Sequence, residues 1–297
     1  MNAASRIPRQ LDHLVLPVID LATARDRYVK LGFTVATDAL HPFGTENACV
    51  FLADKTYLEP LGIAKREECE AAALAGNVFV ARDQAYRFRR GHDGFSAIVL
   101  STDDAAADHA RFHKAGISAG EMLEFSRPMK LPDGSQATGS FRLAFAADLR
   151  SPDFFFFTCQ RVMPLPSDRS ALETHANGVI GLSEVVLSEP NPTDFQYILQ
   201  EAVDEREVSA HSFGMDIETR NGVKISVLNQ AGMSGFFDRK TPGHSRGLRG
   251  RAVVFKVADL SATEQLLTAN AVSFIRKDNR LIVPETLGQG VIFAFGE

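Results

Sequence analysis

The sequence predicts an α+β fold that contains four βαβββ modules. Three observations support this prediction. An apolar strand followed by a polar residue and then a helix occurs four times along the 297 residues. Further short apolar strands follow each of these helices. A polar segment with two prolines, MPLPSDRSALETHANG, separates the first two repeats from the last two.

The first two repeats align without a gap. They read LDHLVLPVIDLATARDRYVKLGF and FSAIVLSTDDAAADHARFHKAGI. A leucine of the strand, an aspartate after it and a glycine after the helix coincide in the two copies, pairing Leu16 with Leu100, Asp20 with Asp104 and Gly32 with Gly116. The aspartate predicts an N-cap, because its carboxylate can accept backbone N–H groups of the first helical turn. The glycine predicts a left-handed residue just after the helix.

The later repeats are less regular. The third, LSEVVLSEPNPTDFQYILQEAV, matches mainly through Leu187 and the helix after it, whereas the fourth, RAVVFKVADLSATEQLLTANAVSF, aligns Asp259 with Asp20. Short strands follow each helix. In the first repeat they are FTVATDAL, ACVFLA and TYLEPLGI, and in the third MDIETRN and VKISVLN flank Asn221-Gly222, a strong hairpin signal.

The repeats indicate two domains. We expect a first domain over residues 1–162, with modules at about 10–63 and 94–162, a linker over 163–177, and a second domain over 178–297, with modules at about 179–230 and 248–297. An insertion rich in Ala and Glu, AKREECEAAALAG, separates the first two modules and is predicted to be helical. Each domain is long enough to bury a hydrophobic core.

Composition and charge narrow the class of partner. The chain is 45% hydrophobic and 23% charged, its net charge is −5, and its basic residues are scattered apart from Arg87, Arg89 and Arg90. This balance excludes the basic surface of a nucleic-acid-binding protein and favours a small-molecule partner. No apolar run reaches the length of a membrane span, and the segment MNAASRIPRQ lacks the apolar core of a signal peptide. The three cysteines form no CxxC pair. We therefore expect a cytoplasmic protein that does not engage membranes.

The amino-acid sequences of the repeats resemble those of the vicinal oxygen chelate superfamily, whose members pair βαβββ modules into a cupped sheet. The segments LDHLVLPVIDL, HPFGTENA, YLEPL, FRLAF, FFFFTCQR and HANGVIG are similar to its glyoxalase-like group of bacterial proteins. The resemblance covers nearly the whole chain and is most specific over residues 10–61. The resemblance therefore implies that the four modules pair into two cupped mixed β-sheets with helices on the outer faces. The superfamily includes glyoxalase I, extradiol dioxygenases and bleomycin-resistance proteins, so the resemblance leaves the chemistry open.

The resemblance implies metal ligands on the first and last strands of a module, where this chain has His13 and Glu59. Strand alternation agrees with this assignment, because it puts His13 on one face with Val15 and Glu59 on one face with Tyr57. Glu59 is also the candidate catalytic carboxylate, as a proton carrier. The alternative is a carboxylate that faces the cup, pairs with a cation such as Arg142 and binds no metal.

A divalent metal such as Zn, Mn, Ni or Fe requires further ligands. The second module has Ala97 where a second histidine is expected, which leaves Gln160 on the last strand as a substitute and His41, at the start of the loop HPFGTEN, as another. The alternative for His41 is a structural loop residue. The cup strands and loops also carry candidate substrate-binding residues, namely Asn47, Tyr57, Arg142 and Phe157.

Two functions follow from these predictions. The first is a metal-dependent lyase or isomerase of glyoxalase type that acts on a small oxygenated substrate in the N-terminal cup. The alternative is a metal-free protein that binds small molecules, like the drug-sequestering bleomycin-resistance proteins, and a homodimer is compatible with either. Extradiol dioxygenase activity is not expected, because related dioxygenases carry iron ligands in the second pair of modules, where this chain has Glu184 and Ala252.

Overall fold

A computed structural model describes residues 6–130, 136–163, 170–241 and 246–297. The first sheet contains β1 (Leu11–Pro17), β2 (Ala39–Leu40), β3 (Thr45–Asn47), β4 (Val50–Phe51), β5 (Tyr57–Ile63), β6 (Ala97–Ser101), β7 (Leu123–Lys130), β8 (Gln136–Ala147) and β9 (Phe155–Arg161). Its strand order is β2-β3-β5-β1-β6-β9-β8-β7, with β4 pairing to β5. Four helices belong to this half in the described ranges: α1 (Leu21–Lys30), α2 (Arg66–Leu74), α3 (Val78–Arg90) and α4 (Ala105–Lys114).

The second sheet repeats this plan. Its strands are β10 (Val179–Ser188), β11 (Ser209–His211), β12 (Gly214–Glu218), β13 (Lys224–Leu228), β14 (Arg249–Val257), β15 (Ile275–Lys277), β16 (Arg280–Val283) and β17 (Ile292–Gly296), in the order β11-β12-β13-β10-β14-β17-β16-β15. A 3-10 turn at Pro192–Phe195 leads into α5 (Gln196–Val203), and α6 (Gln230–Phe237) and α7 (Leu260–Ala269) complete the described helices.

Both sheets use the same pairing rule, which confirms the predicted α+β fold of four modules in two cupped mixed sheets. Within each module the first strand runs parallel to the last, as in β1 with β5 and β14 with β17. The two modules of a sheet join through antiparallel pairing of their first strands, β1 with β6 and β10 with β14. The first strands therefore lie at the centre of each sheet.

The helix boundaries follow the predicted capping residues. The side chains of Asp20, Asp104 and Asp259 accept hydrogen bonds from backbone N–H groups in the first turns of α1, α4 and α7. Gly32 and Gly116 follow α1 and α4 with φ of 86° and 71°, a left-handed conformation that glycine adopts without strain. The Ala- and Glu-rich insertion is helical as predicted and forms α2. The separate helix α3 follows it after a short turn.

One predicted strand is largely absent. In FTVATDAL only Ala39–Leu40 pairs as a strand. The backbone before it is bonded by side chains instead: Arg25 donates to the carbonyl of Ala36, and Thr34 N–H donates to Nδ1 of His175. An apolar alternating pattern does not make a strand where side chains already satisfy the backbone groups.

The convex faces of the two sheets meet in one hydrophobic core, with α1, α4, α5 and α7 packed between them. Aromatic rings form its centre. The ring of Tyr28 lies 5.5 Å from that of Phe293, and the ring of Phe33 lies 5.1 Å from that of Phe255. Gly32 marks the contact, since a Cβ there would lie 2.8 Å from the side chain of Leu266. Two halves of the chain thus share one core.

The concave faces are covered by the remaining helices. Residues of α2 and α3 pack on the concave face of the first sheet, and residues of α6 pack on that of the second. The described helices are too short or too polar for any of them to span a lipid bilayer. The first cup is therefore enclosed by its sheet on one side and by α2 and α3 on the other.

Candidate active site

The polar residues of the first cup lie on adjacent strands. In the parallel pairing of β1 with β5, His13 lies beside Tyr57 and Val15 lies beside Glu59. Neighbouring residues in a register point to the same side of a sheet, so His13, Tyr57 and Glu59 share the concave face. The loop after β2 brings His41 over this face. The structure therefore brings together four of the predicted site residues from three different segments.

His13 is held between two carboxylates. Its Nδ1 lies 2.6 Å from Oδ1 of Asp12, and its Nε2 lies 3.5 Å from Oε2 of Glu59. Asp12 in turn accepts two hydrogen bonds from Arg161, at 2.5 and 2.9 Å. The imidazole also stacks on the ring of Tyr57, with centroids 4.2 Å apart. These contacts fix the ring so that Nε2 faces the cup.

His41 approaches the same carboxylate from the loop. Its Nε2 lies 3.7 Å from Oε1 of Glu59, and its Nδ1 lies 2.9 Å from the hydroxyl of Thr45. The amide of Asn47 lies between the two groups, donating to Oε1 of Glu59 at 2.5 Å and lying 3.5 Å from Nε2 of His41. Gly44 shapes the loop, with φ of 90° and both Ala64 and Lys65 donating to its carbonyl.

Burial and charge set the protonation of these groups. Burial alone would raise the pKa of Glu59, but the hydrogen bond and charge of His13 outweigh it, aided by His41 and Asn47, and lower the pKa to about 2. Burial would lower the pKa of His13, yet its hydrogen bonds to Asp12 and Glu59 raise it. Burial lowers the pKa of His41 to about 4, so this imidazole is neutral at pH 7.

Aromatic side chains enclose the polar group. The ring of His41 stacks on Phe43 at 5.1 Å, and the rings of Phe79 and Phe125 lie 6.2 and 5.9 Å from it. Phe157, a predicted substrate-binding residue, lies edge-on to His13 at 5.9 Å. Residues His13, His41 and Glu59 are each no more than 5% exposed. Such a low-polarity enclosure strengthens every electrostatic interaction inside it.

Arg127 has unused hydrogen-bond donors beside this group. Its Nε and Nη1 atoms are buried and have no acceptor in the described part of the chain. Arg127 lies on β7, two residues beyond Phe125, and its charge adds to burial in lowering the pKa of His41. Buried guanidinium groups are normally bonded, so these free N–H groups are suited to an oxygen atom of a bound molecule.

Two predicted residues lie away from the site. Gln160 is on β9, where Phe157 and Cys159 face the cup and Gln160 therefore faces the opposite side. Its side chain accepts from the N–H of Ala105 and donates to the carbonyl of Asp103, which ties β9 to the start of α4. Gln160 is thus occupied by the backbone.

Arg142 also lies apart from His13 and Glu59. On β8 it alternates with Leu143 and Phe145, which face the cup. Its guanidinium pairs with Glu124 on the neighbouring strand, with Nε 3.1 Å from Oε2, and it is 39% exposed. The cations that the structure does place at the site are Arg161, bonded to Asp12, and Arg127.

Asp12 is a site residue that the sequence motifs did not reveal. Strand alternation places Asp12 on the face opposite His13, but the pairing of β1 with β6 shifts register between Leu11 and His13. Such a bulge reorients a side chain, and here it lets the Asp12 carboxylate reach His13. The sequence contained one usable signal, the adjacent Asp12-His13 pair in LDHLVL.

The donor atoms of His13, His41 and Glu59 are of the chemical types that bind divalent metals. Two imidazole nitrogens and one carboxylate suit Zn, Mn, Fe or Ni. Within the described ranges, however, no group of three or more His, Cys, Asp and Glu side chains already surrounds a metal position. The Asn47 amide lies between His41 and Glu59 and contacts the atoms that a metal would use. Metal binding at this site therefore requires the amide to turn aside.

The second cup contains a different arrangement. Glu184 on β10 accepts from the Ser226 hydroxyl at 2.6 Å and pairs with Arg280 at 2.9 Å and Lys224 at 3.3 Å. Its charge is therefore balanced by cations on β13 and β16, as in a structural ion pair. Ala252 lies nearby on the central strand β14, where an imidazole would be needed.

Solved structures with this architecture support the fold assignment. A hypothetical protein from Staphylococcus aureus has a TM-score of 0.67 at 13% identity, covering 96% of this chain and 98% of its own. A variant of 4-hydroxymandelate synthase from Streptomyces coelicolor has a TM-score of 0.61 at 14% identity, covering 97% and 92%. The Mn(II)-bound glyoxalase from Novosphingobium aromaticivorans has a TM-score of 0.54 at 10% identity, covering 98% and 82%.

The paired βαβββ sheets and these structural neighbours define the fold as that of the vicinal oxygen chelate superfamily. Residues 11–203 match the model of the glyoxalase-like domain, and the chain belongs to that family. No curated protein sequence matches the chain. The family match spans His13, His41 and Glu59 and extends through the first sheet into α5.

Proposed function

We propose that the first cup is the active site of a metal-dependent enzyme of glyoxalase type, a lyase or isomerase for a small oxygenated substrate. His13, His41 and Glu59 would hold a divalent metal ion. When bound, such an ion acts as a Lewis acid that polarises carbonyl or hydroxyl oxygens of the substrate. The Mn(II)-bound glyoxalase among the structural neighbours is consistent with this class of chemistry.

One observation carries the proposal. Nε2 of His13 and Nε2 of His41 both face the carboxylate of Glu59, at 3.5 and 3.7 Å. Each imidazole is meanwhile held from behind through Nδ1, by Asp12 and by Thr45. A partner on the second ring nitrogen is the usual support of a metal-binding histidine, because it fixes the ring and leaves the other nitrogen for the metal.

The surrounding residues have separate roles in this proposal. Glu59 stays ionised because its pKa is about 2, and this suits a cation ligand better than a base that must take up a proton near pH 7. We therefore assign Glu59 primarily as a metal ligand and only secondarily as a proton carrier. The free N–H groups of Arg127 would orient a carboxylate or carbonyl oxygen of the substrate, and the phenylalanine walls would exclude water.

A cobalt titration tests the proposal. Protein treated with chelator and then titrated with Co²⁺ should develop visible absorption bands that saturate at one equivalent. His13→Ala and His41→Ala should abolish or shift these bands, whereas His113→Ala, on the exposed surface of α4, should leave them unchanged. Saturating bands that are identical in all four proteins would show that cobalt binds elsewhere and would overturn the assignment.

A metal-free binding protein is the second candidate, and one observation favours it. The Asn47 amide and the imidazole of His13 already satisfy the charge and hydrogen bonding of Glu59 in the absence of metal. The cup would then bind a largely apolar ligand with an acidic or carbonyl group directed to Arg127. If no metal binds, thermal stabilisation by aromatic carboxylic acids that is lost in Arg127→Gln would support this candidate.

A further inference from the structure

A second polar pocket lies at the junction of the two halves of the chain, away from the cup. It is formed by the end of α3 and the turn after it, the start of β14 and the loop before β17. Three arginines line it, Arg90 from the first half and Arg249 and Arg251 from the second, together with His92. Arg90 belongs to the one basic cluster of the sequence, which the proposed function leaves unexplained.

The cations of this pocket outnumber its carboxylates. Asp153 is the acidic side chain of the lining, and it already accepts from Arg89 at 2.5 Å and from Arg249 at 2.6 Å. Arg251 donates through Nε to the Ser188 hydroxyl at 2.8 Å, a neutral partner. In the described ranges no carboxylate pairs with Arg90 or Arg251.

Charge repulsion acts on Arg251 in particular. Burial, followed by the charges of Arg249, Arg90 and Arg239, lowers its pKa to about 10, and Glu285 opposes this only in part. Glu285 itself forms an ion pair with Arg239. A partly buried guanidinium among other guanidinium groups destabilises the fold unless an anion neutralises it.

The backbone around the pocket is closely packed, which keeps these cations together. Gly290, with φ of 73°, approaches the first half so closely that a Cβ would lie 2.3 Å from the N atom of Gly94. A Cβ on Gly250 would lie 2.4 Å from the ring of Phe95. The neighbouring Asp93 accepts from the N–H groups of both Ile19 and Gly288. The segments that carry these arginines are therefore in close contact across the junction of the two halves.

We propose that this pocket binds an oxyanion of phosphate size, either free or as the phosphoryl group of a small molecule, through Arg90, Arg249 and Arg251. Guanidinium groups donate paired N–H bonds that match phosphate oxygens. The ligand would bridge α3 and β14 and so stabilise the junction between the sheets. The site is separate from the proposed metal site, and its occupancy does not depend on metal.

Thermal unfolding at constant ionic strength tests the proposal, with inorganic phosphate compared with chloride. Phosphate at tens of millimolar should raise the Tm of the wild type by about 3 °C. Arg251→Gln and Arg90→Gln should lose most of this rise, and Arg251→Gln should keep or increase its Tm in chloride because a repelled charge is gone. Arg66→Gln is the matched control, since that exposed arginine pairs with Glu70 on α2 and should retain the full rise.

Two results would overturn the proposal. One is an equal Tm of the wild type in phosphate and chloride. The other is an equal rise in Arg251→Gln, Arg90→Gln and the wild type, which would indicate general stabilisation by a kosmotropic salt. Calorimetric titrations with inorganic phosphate and with glycerol 3-phosphate distinguish the two sources. Tighter binding of the ester would identify a phosphorylated small molecule, and tighter binding of phosphate would identify the free anion.

Discussion

Lowering the pH should destabilise the metal-free protein, and the buried His41 should account for a defined share of this effect. Burial lowers the pKa of this imidazole from 6.5 to about 4. The unfolded chain therefore takes up a proton between pH 6.5 and 4 that the folded chain does not, and stability falls as the pH drops through this window. At about 1.4 kcal/mol for each pKa unit, the loss is about 3 kcal/mol at pH 4, of which about 2 kcal/mol appears by pH 5.

The effect of His13 has the opposite sign and is separable. Its folded pKa is raised, so its stabilisation is complete below pH 6.5 and is lost only as the pH rises through the folded pKa. Glu59, with a pKa lowered from 4.5 to about 2, stabilises the fold above pH 4.5 and loses that effect only in more acidic solution. Between pH 6.5 and 4.5 His175, whose pKa burial also lowers, acts in the same direction as His41, so a His41 variant is needed to isolate the share of His41.

Urea unfolding in EDTA at a series of pH values measures this effect, with His41→Gln as the variant. Glutamine can still bond to Thr45 but has no proton to gain, so its free energy of unfolding should vary less with pH. The difference between wild type and variant should change by about 2 kcal/mol from pH 7 to pH 5. His113→Gln, on the exposed face of α4, should follow the wild type. Parallel curves for wild type and His41→Gln would refute the reasoning.

Three further substitutions test other parts of the account. Asp12→Asn removes the charge that Arg161 and the adjacent imidazole bind, so urea unfolding should show a loss of about 2–4 kcal/mol and metal affinity should fall about 10–100-fold; unchanged values would contradict the support role of Asp12. Gly44→Ala places a Cβ 2.5 Å from the carbonyl oxygen of Lys65 at a φ of 90°. We therefore expect the free energy of unfolding to fall by about 2 kcal/mol or more, together with weaker cobalt binding. A variant as stable as the wild type would show that the loop is not constrained. Phe293→Ala opens a cavity in the shared core and should cost about 3–5 kcal/mol in one cooperative transition, whereas loss of the second half alone would mean that the two sheets unfold independently.

The sequence was sufficient for the elements whose signals are local. An aspartate before a helix and a glycine after it depend only on the backbone of that turn, so Asp20, Asp104 and Asp259 were correctly predicted as caps. The Asn221-Gly222 turn likewise connects β12 and β13 as an antiparallel pair. The conformation of FTVATDAL was less predictable. The side chains that bond its backbone are those of Arg25 on α1 and of His175, far along the chain, and neither belongs to the strand pattern.

The candidate site was predictable where strand alternation holds. Alternation put His13 and Glu59 on definable faces, and the structure brings them within 3.5 Å of each other. The same rule applied to β9 separates Gln160 from Phe157, three positions apart and hence on opposite faces. His41 reaches the cup through a loop, and Asp12 through a bulge, and neither geometry follows from a two-residue period.

Metal content is the most direct test of the central claim that His13, His41 and Glu59 hold one divalent ion. The purified protein, before and after incubation with Zn, Mn, Ni or Fe salts and desalting, should contain one metal per chain by plasma mass spectrometry. His13→Ala, His41→Ala and Glu59→Ala should each lose it, while His113→Ala should retain it. A wild-type protein that retains no metal after incubation, or three variants that retain it fully, would contradict the claim.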